Sequence, residues 1–394
     1  MTFLMYGAGS IGRGFIGPLF ARAGYEVVFV DIDANVVNAL NERGRYEITI
    51  AADPPYDEKV EGVRAISGAD RQAVLDAIAS CGLMATALGA SALQRVAPLI
   101  ADGFSLRMKR GGRPLNILIC ENLKDAAQIL RGWIESGFTD DGESTPPPSL
   151  DGRCGLIEAA IGRMIPPAAH SKTDPLHLIV EEYGFLPVDK AAFIGEPPIC
   201  DGLIPFSPFA FYEERKLYLH NMGHAVCAYL GMRYGHESMN QAMSDPTVRL
   251  FTQSAMTESA AMLSIKYGVP FNDIYNHAED LMGRFGNPVL GDTCERVGRD
   301  PMRKLKAGDR LSGALGQCLK TGVIPVFIAL GYAAALRNVT EDGTRAEEIA
   351  RTDGKLDDSH VALVIKLYGL LHLPAGELYD AVERVKKEIR GYIV

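Results

Sequence analysis

Lys216, Asn221 and His224 recur at spacings of five and three residues within Lys216-Leu217-Tyr218-Leu219-His220-Asn221-Met222-Gly223-His224. These residue types can handle an alcohol. A neutral amine accepts its proton, an amide donates to an oxygen gaining negative charge, and an imidazole holds a hydroxyl. On an α-helix at about 100° per residue, with Lys216 at zero, His224 falls near 80° and Asn221 near 140°. Glu213, one turn upstream, falls near 60° on the same scale. A helix here gathers a cation, an amide, an imidazole and a carboxylate on one face. A solvated helix face collects the same types, so the trio alone leaves two readings. Ala225, Val226, Ala228, Tyr229 and Leu230 follow directly, which predicts that the helix runs into apolar surroundings.

Such a face needs a scaffold, and the front half supplies one. Phe3 to Tyr6 reads as a buried strand. Gly7-Ala8-Gly9-Ser10-Ile11-Gly12 follows at once, then Phe15, Ile16, Leu19, Phe20 and Ala21 at helical spacing. A second apolar run from Glu26 ends at Asp31. Strand, glycine loop, helix, strand and acidic residue in this order match the dinucleotide fingerprint. Gly7 permits the tight turn, Gly9 lets the backbone approach a pyrophosphate at the helix N-terminus, and Gly12 allows close helix–strand packing. Asp31 accepts from ribose hydroxyls and repels a 2′-phosphate, which favours NAD over NADP. Asp33 adds charge nearby. Arg13 either offsets that charge or serves the pyrophosphate.

Further strands are predicted at Leu83–Leu88, Leu115–Ile119 and Leu176–Val180. Ligands in open parallel sheets bind beyond the carboxyl ends of strands, so Thr86, Gly89 and Asn122 are candidates for the nicotinamide side. Asn122 equally suits a cap for the next helix. The Asp-, Ser- and Pro-rich stretch from Gly137 to Arg153 reads as an exposed excursion.

The chain has 394 residues, 47% of them hydrophobic, enough for two domains with separate cores. A net charge of −9 argues against nucleic acid, whose phosphates reward excess Lys and Arg. Seven scattered Cys without a CxxC pair argue against a disulfide framework or Cys-rich zinc site, and point to a reducing cytoplasm. The first residues run straight into the glycine motif, leaving no room for a signal peptide. No apolar run approaches the roughly 20 residues that span a bilayer. The expectation is a soluble cytoplasmic protein with no membrane partner.

After Pro205 and Pro208 the pattern turns helical, with candidate helices over 210–233, 247–267, 270–284, 301–320, 323–337, 345–352, 358–370 and 375–391. The expected fold is α/β: a Rossmann-like, doubly wound domain over 1–200, then a mostly α-helical substrate domain over 201–394. Such a pair usually takes its substrate in the cleft between domains. A basic cluster stands out in the second half: Arg284, Arg296, Arg299, Arg303, Lys304, Lys306 and Arg310. Arg forks suit an anion such as phosphate. A solvated face paired with Asp292, Glu295, Asp300 and Asp309 reads equally well.

Four stretches together, GAGSIGRGF at 7–15, ENL at 121–123, KLYLHNMGHA at 216–225 and Gly283 to Leu311, resemble the polyol-specific long-chain dehydrogenases, the mannitol dehydrogenase family. The similarity runs from residue 1 to at least 340. It implies an NAD-dependent, metal-independent enzyme, monomeric or weakly dimeric, acting on a small sugar or polyol. In that scheme Lys216 is the general base, Asn221 and Asn122 donate to the reacting oxygen, and His224 holds that oxygen or a neighbouring hydroxyl. Glu213 matches a position that assists proton exchange, with adjacent Glu214 as the other option. Ser10 stands where relatives often carry Asn, and Met222 where Thr is common; the 137–150 excursion and His220 also depart from them. Arg299, Arg303 and Lys304 lie in a stretch similar to the phosphosugar branch of the family. The reaction this implies interconverts mannitol 1-phosphate and fructose 6-phosphate. The alternative is an unphosphorylated polyol or a hexonate.

Overall fold

The computed structural model describes residues 1–52, 54–138, 149–165 and 174–391. Most of the excursion expected at 137–153 lies outside the described residues. The chain divides into two compact units, Met1–Ala210 and Phe211–Val394.

In the first unit six parallel strands form one sheet, in the order Val63–Ser67, Glu26–Asp31, Thr2–Tyr6, Leu83–Thr86, Leu115–Ile119, Cys154–Glu158. Counting only these strands along the chain, the order is 3-2-1-4-5-6, the doubly wound arrangement expected from the sequence. Side chains alternate across the sheet. Phe3 and Met5 join the core on one face, and Leu4 and Tyr6 join the core on the other. Phe3 stacks on Phe20 of the first helix with centroids 3.9 Å apart, so the helix that opens at the glycine loop is anchored to the central strand. The order reverses between Thr2–Tyr6 and Leu83–Thr86, which places the switch point beside Gly7.

Two smaller sheets flank this core. Tyr56–Glu61, Arg45–Ile50 and Leu178–Val180 form one, and Leu186–Asp189 pairs with Leu203–Phe206 in the other. The strand expected at 176–180 is therefore shorter and lies outside the main sheet. The one expected at 83–88 stops at Thr86.

The second unit is helical throughout its described length. Val326–Arg337 is buried from Val326 to Leu336 and packs against Met222–Arg233, Pro246–Tyr267 and Asp358–Leu370. A helix that is apolar all round belongs in a core. The helix expected over 301–320 is two pieces, Pro301–Leu305 and Arg310–Lys320, separated by Lys306-Ala-Gly-Asp309. Short helices at Met239–Ser244 and Cys294–Gly298 were not foreseen, because five or six residues show too little periodicity to read. Among the described residues no helix is long and apolar enough to cross a membrane.

Candidate active site

The glycine loop holds its shape for steric reasons. Gly7 has φ +111°, and a Cβ there would strike the carbonyl of Ala87; a Cβ on Gly12 would strike the carbonyl of Gly7. Gly9 differs, since a side chain there would meet open space. Among the described residues nothing demands glycine at that position. A ligand lying against the loop would. Gly7, Ala8 and Gly12 are buried, while Gly9, Ser10 and Ile11 form the open lip. Asp31 ends the second strand; its Oδ2 accepts from the Ala8 N–H at 2.6 Å and its Oδ1 from the Asp33 N–H at 3.0 Å. An open lip at a helix start with a fixed carboxylate beside it fits a dinucleotide.

Of the two jobs considered for Arg13, charge balance is the one supported, since Asp31 and Asp33 are among the charges acting on it against burial. It is 3% exposed, and its guanidinium donates to the carbonyls of Ala8, Pro175 and Leu176 at 2.5, 2.8 and 2.7 Å. Burial lowers its pKa. Thr86 is fully buried at the end of its strand. The N–H groups of Leu88 and Gly89 both donate to the Glu121 carboxylate at 2.8 Å. Burial raises the Glu121 pKa while these donors pull it back. Glu121 thus ties the ends of two neighbouring strands together, a role the sequence did not signal. Asn122 is exposed and does not cap the next helix, whose N-cap is Asp125.

In the second unit the trio sits on a helix that changes character. Ala210–Glu214 is α-helical, Arg215–Asn221 is a π-helix, and Met222–Arg233 is α again. A π-turn bonds residues five apart, so Lys216 and Asn221 stack along one face as i and i+4 do in an α-helix. The 140° separation drawn on a uniform α-helix is therefore too wide, and the five-residue spacing is one π-turn. The Tyr218 carbonyl within this turn accepts from the buried Ser259 hydroxyl at 2.7 Å.

Lys216 is partly buried, and burial lowers its pKa below 10.5, with Arg310 adding to the effect. His224 is 17% exposed, and burial also lowers its pKa despite the opposing pull of Asp292. Its ring stacks on Phe285 with centroids 4.6 Å apart and planes 13° from parallel. Its Nε2 lies 3.4 Å from Asp292 Oδ2. Asp292 is held in turn by Arg296, whose Nε donates to Oδ1 at 2.6 Å. His220 is buried beside the His224–Phe285 stack, and burial drives its pKa well below 6.5. His277 falls to about 3 through burial and the charges of Arg215 and Arg284. Imidazoles here stay neutral at physiological pH.

The two glutamates separate. Both oxygens of Glu214 accept from Lys266 Nζ at 2.7 Å, so Glu214 is committed to that ion pair. The basic cluster separates as well. Arg299 and Arg303 are exposed, Arg303 lying 3.6 Å from Asp309. Lys304 is only 3% exposed and its ammonium donates to the Arg299 carbonyl. Burial, then the charges of Arg310 and Arg303, bring its pKa down to about 8. Lys304 is thus an interior group and not an open anion clamp, contrary to expectation. Arg310 shares Asp309 with Arg303, at 2.9 Å, and its charge reaches both Lys216 and His224. Asp292, Phe285 and Arg310 all lie in the quoted stretch from Gly283 to Leu311, so a motif was visible there, although pairing with His224 was not. Among the described residues no group of three or more His, Cys, Asp or Glu could hold a metal.

Similarity to known proteins bears on both units. The family model described as mannitol dehydrogenase Rossmann domain matches residues 1–201, and the one described as mannitol dehydrogenase C-terminal domain matches residues 209–369. A D-sorbitol dehydrogenase in substrate-free form is 15% identical with a TM-score of 0.70, over 99% of this chain and 93% of that one. A Pseudomonas fluorescens mannitol 2-dehydrogenase, in ternary complex with NAD and D-mannitol, is 14% identical with a TM-score of 0.68, over 98% and 94%. At such identity these two structures speak for the fold. The family models span most of the sequence, and the chain belongs to the mannitol dehydrogenase family.

Proposed function

We propose that the protein is an NAD-dependent polyol dehydrogenase acting on a phosphorylated substrate, with the activity of a mannitol-1-phosphate 5-dehydrogenase: it interconverts mannitol 1-phosphate and fructose 6-phosphate. The observation that carries the dehydrogenase reading is Lys216, an amine with a lowered pKa on the same π-turn face as Asn221 in a family of polyol enzymes. NAD is the cofactor, and when bound it accepts or donates the hydride. The family match and the Asp31 carboxylate beside the open glycine lip support it. Lys216 takes the hydroxyl proton during oxidation and returns it during reduction. Asn221, with Asn122 as the second donor, stabilises the charge that builds on the reacting oxygen. Glu213 exchanges the proton of Lys216 with solvent. No step needs a metal ion.

Arg299 and Arg303, with Arg310 behind them, are assigned to the phosphate. One observation favours the second reading, an unphosphorylated polyol or a hexonate. With Lys304 turned inward and Arg303 near Asp309, fewer unpaired cations remain for an anion than the sequence suggested. NADH oxidation with fructose 6-phosphate, fructose and hexuronates separates the two. Turnover confined to fructose 6-phosphate is expected. Equal turnover of fructose would remove the phosphate assignment.

A further inference from the structure

We infer that Asp292 is a positioning residue that fixes His224 as the Nε2–H tautomer, so that His224 presents Nδ1 to the substrate as a hydrogen-bond acceptor. This deepens the proposed function and rests on it for the identity of the substrate. The argument starts from Asp292. Its Oδ2 lies 3.4 Å from His224 Nε2, while its Oδ1 accepts from Arg296 Nε at 2.6 Å. Burial of this carboxyl would raise its pKa, yet the His224 and Arg296 partners more than offset that and hold it low. An ionised carboxylate only accepts hydrogen bonds, so the ring nitrogen facing it carries the proton.

The remaining nitrogen is then decided by charge. His224 sits among Arg296, Arg310 and His220, and burial disfavours its cation. A neutral ring has one N–H, which charge favours on the nitrogen facing Asp292, and Nδ1 is left with its lone pair. Among the described residues Nδ1 has no hydrogen-bond partner. Phe285 fixes the plane of the ring by stacking, and Asp292 fixes its rotation within that plane. The second shell of a functional histidine commonly sets its tautomer this way.

The consequence is chemical. A lone pair cannot stabilise a ketone oxygen or an alkoxide; it can only hold a group that donates. His224 is therefore assigned to a hydroxyl on a carbon next to the reacting one. Lys216 and Asn221 are left to serve the oxygen that changes between alcohol and ketone. The site would select 2-hydroxy ketones and their vicinal diols over simple ketones.

Long-range ¹H–¹⁵N spectra of the ¹⁵N-labelled protein at pH 7.5 test the assignment, with His224→Gln identifying the signal. A neutral ring protonated at Nε2 is expected. A ring protonated at Nδ1, or a cation, overturns the inference. Asp292→Asn should abolish the single-tautomer pattern, because an amide can donate as well as accept; an unchanged pattern shows that Asp292 does not set it. In turnover, removing the adjacent hydroxyl (1-deoxy- or 3-deoxyfructose 6-phosphate) should lower kcat/KM about tenfold for one analogue, and His224→Leu should erase that difference. A penalty that survives in His224→Leu overturns the hydroxyl assignment. A protein with the expected spectrum that turns over no ketose would refute the proposed reaction and leave the tautomer standing.

Discussion

Both candidate sites stand on π-helical turns, Gly12–Ile16 in the first unit and Arg215–Asn221 in the second. Each turn has a carbonyl met by a buried hydroxyl: Tyr46 Oη donates to the Arg13 carbonyl at 2.7 Å, and Ser259 Oγ to that of Tyr218 at 2.7 Å. A widened turn leaves backbone groups for other elements to satisfy, and the two units solve this alike. What they place on the turn differs. At the glycine loop the working parts are backbone N–H groups and the absence of side chains. At Lys216 they are side chains whose protonation depends on burial. The first kind of site is a matter of sterics, the second of desolvation.

Substitutions can break that comparison in order of expected effect. Lys216→Ala removes the proton acceptor without touching the glycine loop, so kcat should fall by about 10²–10⁴ while NADH binding, followed by fluorescence titration, stays unchanged. Near-normal polyol oxidation by this variant would end the assignment. The pH profile should follow the same group. The unfolded chain holds this proton more tightly than the folded one, because burial lowers the Lys216 pKa below 10.5. Oxidation should rise with pH up to the lowered pKa and level off above it. Ketone reduction, which needs the ammonium, should decline across the same range. Flat profiles in both directions, with chemistry rate-limiting, would exclude Lys216 as acid and base.

The glycines separate fold from binding. Gly12→Ala forces a methyl group onto the Gly7 carbonyl and should cost about 1–3 kcal/mol of stability, read as a lower melting temperature. Gly9→Ala meets no atom among the described residues, so stability should change by less than about 0.5 kcal/mol while NADH binding weakens. Equal melting losses in the two variants would show that the open lip at Gly9 has no bearing on the cofactor. The supporting hydroxyls test each turn separately. Tyr46→Phe and Ser259→Ala each leave a buried carbonyl unmet and should each cost about 1–3 kcal/mol. Tyr46→Phe should weaken NADH binding, and Ser259→Ala should lower kcat; the reverse pairing would dissolve the parallel between the turns.

The two sites were unequally legible. Gly7, Gly9, Gly12 and Asp31 could be read directly, since the spacing of glycines between two apolar runs is itself the geometry of the loop. The long helices were legible too, through their apolar periodicity. Arg45–Ile50 and Val63–Ser67 were missed as strands although their residues alternate, because strands of five or six residues carry a weak signal. Lys216, Asn221 and His224 were legible as a trio, but not as a π-turn, because periodicity assumes one helical pitch throughout.

By itself the sequence determined where the backbone must bend and close up, through residues that have no side chain or a strictly apolar one. Tertiary structure alone decided which charges are spent. Arg13 and Lys304 go to backbone carbonyls, Glu214 goes to Lys266, and Asp292 goes to Arg296 while facing His224. The physical reason is that a side chain's charge and protonation depend on burial and on partners as far as 163 residues away along the chain, and neither is written in local spacing.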